Sequence, residues 1–417
     1  MVLAISTAVT LLYSIIVFLL IILLLVSMLL FARDKFAPKG DVVLDINDRQ
    51  LTVSPGSNLL STLSGNGIFL PSACGGGGTC GMCKCQILQG GGSILPTETG
   101  FFTRKEQHDH WRLGCQVKVR ESLRIKLPES VLGIKKWECE VVSNRNVATF
   151  IKEFVVRLPE GEELSFEPGG YIQIDVPKYD ISFRDFMVED QFKDDWDKYN
   201  MWDLRLKNTT ETFRAYSMAN YPAEKNLIKL NIRIATPPWD NVKKQFMNVP
   251  PGICSTFIFS RKPGDKVVIS GPYGEFHIRN TGNEMIYIGG GAGMAPLRSH
   301  IFHLFHTLKT GRKVSYWYGA RSLREVFYED EFRAIEKNFP NFTFNIALSE
   351  PLPEDKWTGL SGFIHQVLFD NYLDKHDAPE DIEYYFCGPP VMNNAVLKML
   401  DNLGVPSGNI SFDDFGI

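Results

Sequence analysis

A multidomain chain is predicted, with an N-terminal transmembrane helix, a small cysteine-bearing domain, an antiparallel β-barrel and a closing α/β domain on a parallel sheet. Three observations carry that prediction. No charged residue occurs from Val2 to Ala32, a run dominated by Leu, Ile and Val. Cys74, Cys80 and Cys83 stand at C-x5-C-x2-C spacing on a glycine-rich loop, with Cys115 farther on. From about Asn283, short turn-separated strands give way to a repeating order of strand, loop and helix. The 417 residues leave room for several cores. A net charge of -4 gives no footprint for a nucleic acid, so none is expected as a partner. Eight cysteines are too few for a disulfide scaffold in so long a chain, and the crowding of Cys74, Cys80, Cys83, Cys85 and Cys115 points to metal in a reducing compartment.

Residues 1–39 form the anchor and its linker. The stretch through Ile15–Val26 crosses a bilayer with slack for tilt. A cleavable secretory signal would need a basic start, a shorter apolar core and a small-residue cleavage site, so a permanent single-pass anchor is expected. Arg33, Lys35 and Lys39 follow the helix while no Lys or Arg precedes it, so the positive-inside rule predicts everything after it on the cytoplasmic side.

Residues 40–130 form the cysteine domain. Val42–Ile46 and Leu51–Val53 alternate around the turn-forming Asn47 and Asp48, the pattern of a hairpin. Asn58–Leu63 suits a short helix, and Arg112–Val117 brings Cys115 back beside a strand. Four thiolates on one point are what a [2Fe-2S] cluster needs, and glycines let backbone N–H groups approach its sulfurs. The expected metal ligands are therefore Cys74, Cys80, Cys83 and Cys115. Zinc also takes four cysteines, usually as two C-x2-C units. Cys85 shares a strand face with Ile87 and reads as a small buried thiol. His108 and His110 read as a solvated turn. The order of elements resembles the β-grasp ferredoxin fold.

Residues 131–282 read mostly as strands: 138–142, 154–158, 171–176, 228–234 and 266–270, divided by glycine and proline turns. That rhythm predicts an antiparallel barrel. Lys178 to Thr212 breaks it, and reads as an insertion that is either a partner surface or a solvated excursion. Residues 283–417 form the α/β domain, with strands at 285–288, 314–318, 342–347 and 384–387. In Gly289, Gly290, Gly291, Ala292, Gly293, Met294, Ala295 and Pro296, glycines permit a tight turn, and the helix that follows offers its first N–H groups to a pyrophosphate.

Arg214-Ala215-Tyr216-Ser217 in the barrel, Gly271–Phe276 at the junction and the Gly289–Pro296 loop after it resemble the ferredoxin–NADP reductase superfamily. The resemblance implies that Arg214 binds the FAD pyrophosphate, Tyr216 packs on the isoalloxazine and Ser217 hydrogen-bonds near the reactive nitrogen. Gly252–Thr256 looks like the second flavin-phosphate segment, with Gly252, Ser255 and Thr256 as contacts. Gly289–Pro296 looks like the NADH site, and Cys387-Gly388-Pro389 like the last-strand motif that meets the nicotinamide. Ser217 and Cys387 would then adjoin the reacting atoms. A nucleophilic Cys387 has no evident base, and hydride transfer needs none. Arg321, past the second strand, is read either as an adenosine contact or as a solvent-facing cation. Phe415 is the candidate aromatic over the flavin, although two residues follow it.

Anchor, ferredoxin, barrel, nucleotide domain and the ending Asp413–Gly416 together resemble the F subunits of sodium-translocating NADH:quinone oxidoreductases along essentially the whole chain. The likeness implies an electron-input subunit in a bacterial inner membrane. It would oxidise NADH through FAD and pass single electrons by the [2Fe-2S] cluster to other membrane subunits and ultimately to quinone. Sodium movement would belong to those subunits, since one helix without an intramembrane charge moves no ion alone. Two further readings stay open: a membrane-tethered reductase serving an oxygenase, and a non-enzymatic scaffold with a zinc-bound module.

Overall fold

With no charge to interrupt it, the first apolar run forms one helix, α1 (Val2–Phe36). Its stretch Tyr13–Phe31 is 19 residues long, ~28 Å at 1.5 Å per residue, enough for the hydrocarbon core of a bilayer. The rest of the chain covers none of that stretch. The computed structural model describes residues 2–36, 40–240 and 242–414. Two units result, Met1–Thr62 with Lys84–Leu127, and Leu63–Cys83 with Pro128–Ile417.

In the first unit, β1 (Val42–Ile46) and β2 (Arg49–Val53) pair antiparallel across Asn47 and Asp48, whose φ angles of 48° and 65° make the tight turn expected. Helix α2 (Leu59–Gly65) starts here. Strands β3 (Lys84–Gln89), β4 (Trp111–Leu113) and β5 (Leu123–Lys126) complete a sheet of order β2-β1-β5-β3-β4, in which β1 and β5 run parallel. Between them, α3 (Arg104–His108) opens on a capping box of Thr103 and Glu106, and His108 and His110 are exposed, as the solvated-turn reading expects. The approach to Cys115 is held by a buried ion pair. Arg112 Nε meets both Glu98 oxygens at 3.0 Å, its Nη1 donates to the Gly91 and Gly92 carbonyls, and Glu98 accepts the Leu113 N–H at 2.8 Å.

The second unit begins, after α4 (Glu129–Leu132), with β6 (Lys135–Ala148), β7 (Ile151–Arg157) and β8 (Tyr171–Val176). A hairpin of β9 (Tyr179–Ser182) and β10 (Arg205–Asn208) encloses α5 (Lys193–Lys198). Then come β11 (Thr212–Ser217), β12 (Leu227–Arg233), the small hairpin of β13 (Trp239–Asp240) and β14 (Gln245–Phe246), α6 (Ile253–Phe259) and β15 (Lys266–Tyr273). The antiparallel sheet β11-β8-β15-β6-β7-β12 closes on itself through a bridge from Met218 to Leu230. The segment 178–212 is no solvated excursion. Phe183, Phe186, Phe192, Trp196 and Met201 join the barrel core, Trp196 with no exposed surface and its Nε1 donating to Thr149 O at 2.8 Å. Charged residues between those side chains face water and mask the apolar spacing in the sequence.

The closing sheet has the order β19-β18-β17-β16-β20-β21, all parallel: β16 (Met285–Gly290), β17 (Val314–Ala320), β18 (Phe342–Leu348), β19 (Leu360–Ser361), β20 (Glu383–Cys387) and β21 (Ile410–Asp413). Side chains alternate between two cores. Tyr287, Tyr316 and Tyr385 pack with α7 (Met294–Phe302) and α8 (Glu329–Asn338) on one face. Ile286, Ile288 and Phe386 pack with α9 (Ile364–Asn371) and α10 (Pro390–Asn402) on the other. Three consecutive α7 residues fasten this sheet to the barrel. Arg298 donates to Ala219 O at 2.7 Å and pairs with Glu224, Ser299 Oγ donates to Asn220 O at 2.8 Å, and His300 Nε2 donates to Phe276 O at 2.9 Å. Burial pushes the His300 imidazole down to about 4, so the ring is neutral and its Nε2 proton serves that carbonyl.

Candidate functional site

Strand β11 delivers Arg214, Tyr216 and Ser217 opposite Ile174, Ile172 and Tyr171 of β8. The half-buried Arg214 guanidinium donates to Thr212 Oγ1 at 3.0 Å and Phe213 O at 2.7 Å. Tyr216 is half-buried and Ser217 buried. At the start of α6, a Cβ on Gly252 would stand 2.6 Å from the Ala235 Cβ, so the turn requires glycine. The Ser255 hydroxyl is spent holding that turn, accepting from Ala235 N–H at 3.1 Å and donating to Gly252 O at 3.2 Å. Thr256 has no exposed surface.

The Gly289–Gly293 loop is pressed against its neighbours. A Cβ on Gly289 would come 2.6 Å from the Tyr316 hydroxyl, and one on Gly293 would strike the Cys387 carbonyl and lie 2.7 Å from Gly388 N. Gly291 is in the left-handed region at φ 56°. Neither the Gly291–Gly293 turn nor helix α7, which continues from it, has a side-chain cap, and the Met294 N–H bonds back to the Gly291 carbonyl, so any N–H groups open to an anion are those at the start of the turn. Cys387 is fully buried, and burial pushes its thiol well up, with Asp413 and Asp414 adding to the rise, so it remains a neutral thiol rather than a nucleophile. Arg321 is exposed and pairs with Glu325 at 3.4 Å.

An acid that the sequence reading did not assign enters from β21. Register places Asp413 beside Cys387, and its Oδ2 accepts the Ser217 hydroxyl at 2.8 Å. Burial pushes its carboxyl from 3.8 up to about 6; the Ser217 hydrogen bond opposes that rise and Asp414 adds to it. The four-residue strand that carries it is too short to show a period. Phe415 lies outside the described residues.

The loop of the second unit that carries Cys74, Cys80 and Cys83 needs its glycines: Gly75, Gly76, Gly78 and Gly81 all have φ between 63° and 90°. Cys80 donates to Cys74 Sγ across 3.3 Å, which favours the Cys74 thiolate. The loop packs on the barrel through Phe69 and Met82 against Tyr171, Tyr273 and Ala215, and a Cβ on Gly75 would meet the Phe213 carbonyl at 2.6 Å. In the first unit, Cys115 is buried near Gln116 Nε2 at 3.6 Å. Cys85 is buried as expected, its thiol pushed up to about 12 by burial and donating to Arg112 O at 3.7 Å. Among the described residues no three His, Cys, Asp or Glu side chains gather to hold one ion. Two sulfurs this close suit two ligands on one tetrahedral metal centre, which zinc and either iron of a [2Fe-2S] cluster share.

The chain matches models of a 2Fe-2S iron-sulfur cluster binding domain over residues 42–120, an oxidoreductase FAD-binding domain over 197–278 and an oxidoreductase NAD-binding domain over 287–398. Among solved structures it is similar to Amycolatopsis cytochrome P450 reductase GcoB, at TM-score 0.63 and 22% identity over 90% of this chain and 98% of that one. It is also similar to the ferredoxin reductase in carbazole 1,9a-dioxygenase, at 0.58 and 26% over the same shares. Two relatives are F subunits of Na(+)-translocating NADH-quinone reductases. That of Klebsiella pneumoniae subsp. pneumoniae is 54% identical over 409 residues, 97% of this chain and 99% of that protein. That of Pseudomonas aeruginosa is 54% identical over 391 residues, 94% and 95%. This chain belongs to the family of these F subunits. As a member it is the electron-input component of an NADH:quinone oxidoreductase, with FAD, a [2Fe-2S] cluster and NADH as substrate. The oxygenase-reductase reading is not favoured, and a zinc scaffold has no support in a chain that matches all three redox domains.

Proposed function

We propose that Ser217, Asp413 and Cys387 surround the point where the nicotinamide of NADH meets the flavin. The observation that carries this reading is the hydrogen bond from Ser217 of the barrel to Asp413 of the nucleotide sheet, beside the Cys387–Gly388 end of β20. Arg214 and the Gly252–Thr256 turn hold the FAD phosphates, and Tyr216 lies against the ring. Gly289–Pro296 holds the NADH pyrophosphate, with Cys387, Gly388 and Pro389 at the nicotinamide. Cys74, Cys80, Cys83 and Cys115 hold the cluster. When bound, FAD supplies a two-electron acceptor for hydride and the cluster a one-electron outlet. Residues 1–39, 40–130, 131–282 and 283–417 serve as anchor, cluster, flavin and nucleotide segments. The helix α1 fixes the chain in the inner membrane of a bacterium, cofactors on the cytoplasmic side, where other subunits of the complex receive the electrons.

Asp413 governs the Ser217 proton. Ionised, the carboxylate takes the Ser217 hydrogen bond; protonated, it donates to Ser217 Oγ and frees that hydroxyl to donate elsewhere. The folded value, about 6, lies above the ordinary 3.8. The carboxyl's contribution to stability is therefore fully present below the ordinary value and is lost as pH rises through about 6. Asp413→Asn should remove the inflection near that pH from the rate of flavin reduction by NADH. It should also be more stable than the parent at pH 8, with the gap closing towards pH 4. A parallel pair of melting profiles and an unchanged pH–rate curve would refute the role.

Anaerobic NADH titration of the full-length protein tests the whole reading. Visible absorbance should report flavin bleaching, and low-temperature electron paramagnetic resonance a reduced [2Fe-2S] signal. Bleaching without iron in the protein would overturn the cluster assignment, and no bleaching would overturn the NADH site.

A further inference from the structure

Strand β8 meets the proposed flavin strand and the cysteine loop at once. Register sets Tyr171 opposite Ser217, Ile172 opposite Tyr216 and Gln173 opposite Ala215. Two of those β8 side chains reach the loop. The Tyr171 hydroxyl donates to Met82 Sδ at 3.6 Å, and Gln173 Nε2 donates to Leu70 O at 3.5 Å. Met82 stands between Cys80 and Cys83 in the sequence, so whatever holds its side chain holds the backbone that bears both sulfurs. The Tyr171 ring is 7% exposed and stacks on Tyr273, centroids 5.3 Å apart and planes 18° from parallel. Burial raises its phenol above the ordinary range, and Tyr273, Cys80 and Asp413 add to the rise, which marks both the loop and the Ser217–Asp413 corner as near neighbours. A thioether is a weak acceptor, and a buried tyrosine gains more from an oxygen. Barrel stability therefore gives little reason for this pairing, and the position of the loop gives one.

We propose that Tyr171 is the positioning residue that sets the cysteine loop against the flavin strand for single-electron transfer. The proposal rests on the placement of FAD along Arg214–Ser217 and of a cluster on Cys74, Cys80, Cys83 and Cys115. Hydride from NADH brings two electrons, and a [2Fe-2S] cluster accepts one. The flavin therefore empties in two transfers, the cluster passing each electron on before it takes the next, and the proton released leaves to water. Each transfer depends on how closely the loop is held, whereas the hydride step depends on the nicotinamide corner. Tyr171 acts through Met82 rather than on a reacting atom.

The test mixes the full-length protein anaerobically with NADH, following flavin bleaching by visible absorbance and cluster reduction by freeze-quenched electron paramagnetic resonance. Tyr171→Leu should leave bleaching within about twofold of the parent and slow cluster reduction about tenfold or more, as expected when two reacting groups lose their fixed spacing. Met82→Ala should do the same from the loop side. The double variant should be no slower than the slower single one, the mark of one shared contact. Tyr171→Phe, which keeps the stacked ring, should stay close to the parent. Hydrogen exchange in the oxidised protein gives a readout independent of turnover: the backbone amides of residues 75–82 should exchange faster in Tyr171→Leu and Met82→Ala than in the parent. Cluster reduction that keeps pace with bleaching in both variants, or slowing of both steps by the same factor, overturns the role of Tyr171. A parent flavin that NADH fails to bleach, or bleaching in the parent with no reduced cluster, overturns instead the cofactor placements beneath it.

Discussion

Arg298→Met is expected to cost about 3 kcal/mol of stability and to slow flavin reduction by NADH about a hundredfold. The side chain is 2% exposed. Its guanidinium meets Glu224 at 3.0 and 3.2 Å, Glu331 at 2.7 and 2.9 Å and the Ala219 carbonyl at 2.7 Å, and lies 4.0 Å from the Phe302 ring centroid. Methionine fills much of the volume but leaves a buried carbonyl without its donor and two carboxylates without a counter-charge. Both carboxylates reach water in part, which is why the lower end of the range for a broken buried pair applies. The rate effect follows from position. Arg298 sits on the helix that begins at the glycine loop, and Ala219 and Asn220 lie two and three residues past Ser217, so in the proposed arrangement this contact sets the nucleotide against the flavin strand. A melting temperature lower by about 6–12 °C is the first readout. The second is kcat, which should fall more than KM rises. Arg298→Lys, which keeps one point charge, should recover part of the stability and less of the rate, because a lysine cannot span Glu224, Glu331 and Ala219 at once. Parent-like melting and kcat in the methionine variant would sink the positioning role.

What the sequence made legible follows from where a residue's physics is local. Val2–Ala32 announces a long apolar helix because no charge competes with its apolarity, and Asn47–Asp48 announces a turn because two short polar side chains tolerate left-handed backbone. The strands of the nucleotide sheet are apolar on both faces and stand out between glycine loops. Trp196 and its aromatic neighbours were hidden for the opposite reason: their partners lie on distant barrel strands, and the intervening Asp and Lys dominate any local window. Asp413 was invisible as a site residue because its meaning comes from pairing with Cys387, 26 positions earlier by register, and from Ser217 in another domain. Arg298 was equally silent, since a lone Arg in a helix reads as a solvated cation until Glu224 and Glu331 are seen around it. Glycines are more legible: turns and anion access call for glycine at 252, 289 and 293, and the close approaches at their Cα atoms give the steric reason.

Cys80→Ala separates the two halves of the electron route. The variant should lose the cluster's visible absorbance and its paramagnetic signal, and with them electron delivery to one-electron acceptors and to quinone in the assembled complex. Flavin reduction by NADH, and turnover with an artificial two-electron acceptor, should stay close to the parent. The structure supplies the reason for that split. The Cys80 thiol lies 3.3 Å from Cys74 Sγ, whereas the loop reaches the barrel through Phe69, Met82 and the Gly75 approach to Phe213. Removing one sulfur leaves those contacts and the Arg214–Ser217 strand in place. Nor does the loop have a spare ligand: Cys85 is fully buried, its thiol held protonated by burial and turned to the Arg112 carbonyl, so it cannot replace Cys80 without unpacking β3. Cys85→Ala should accordingly retain the full cluster signal at a modest cost in stability from the lost packing. Equal loss of one-electron and two-electron activity in Cys80→Ala would mean that electrons do not pass from flavin to cluster in this order. A cluster that survived in Cys80→Ala but vanished in Cys85→Ala would reassign the ligand set itself.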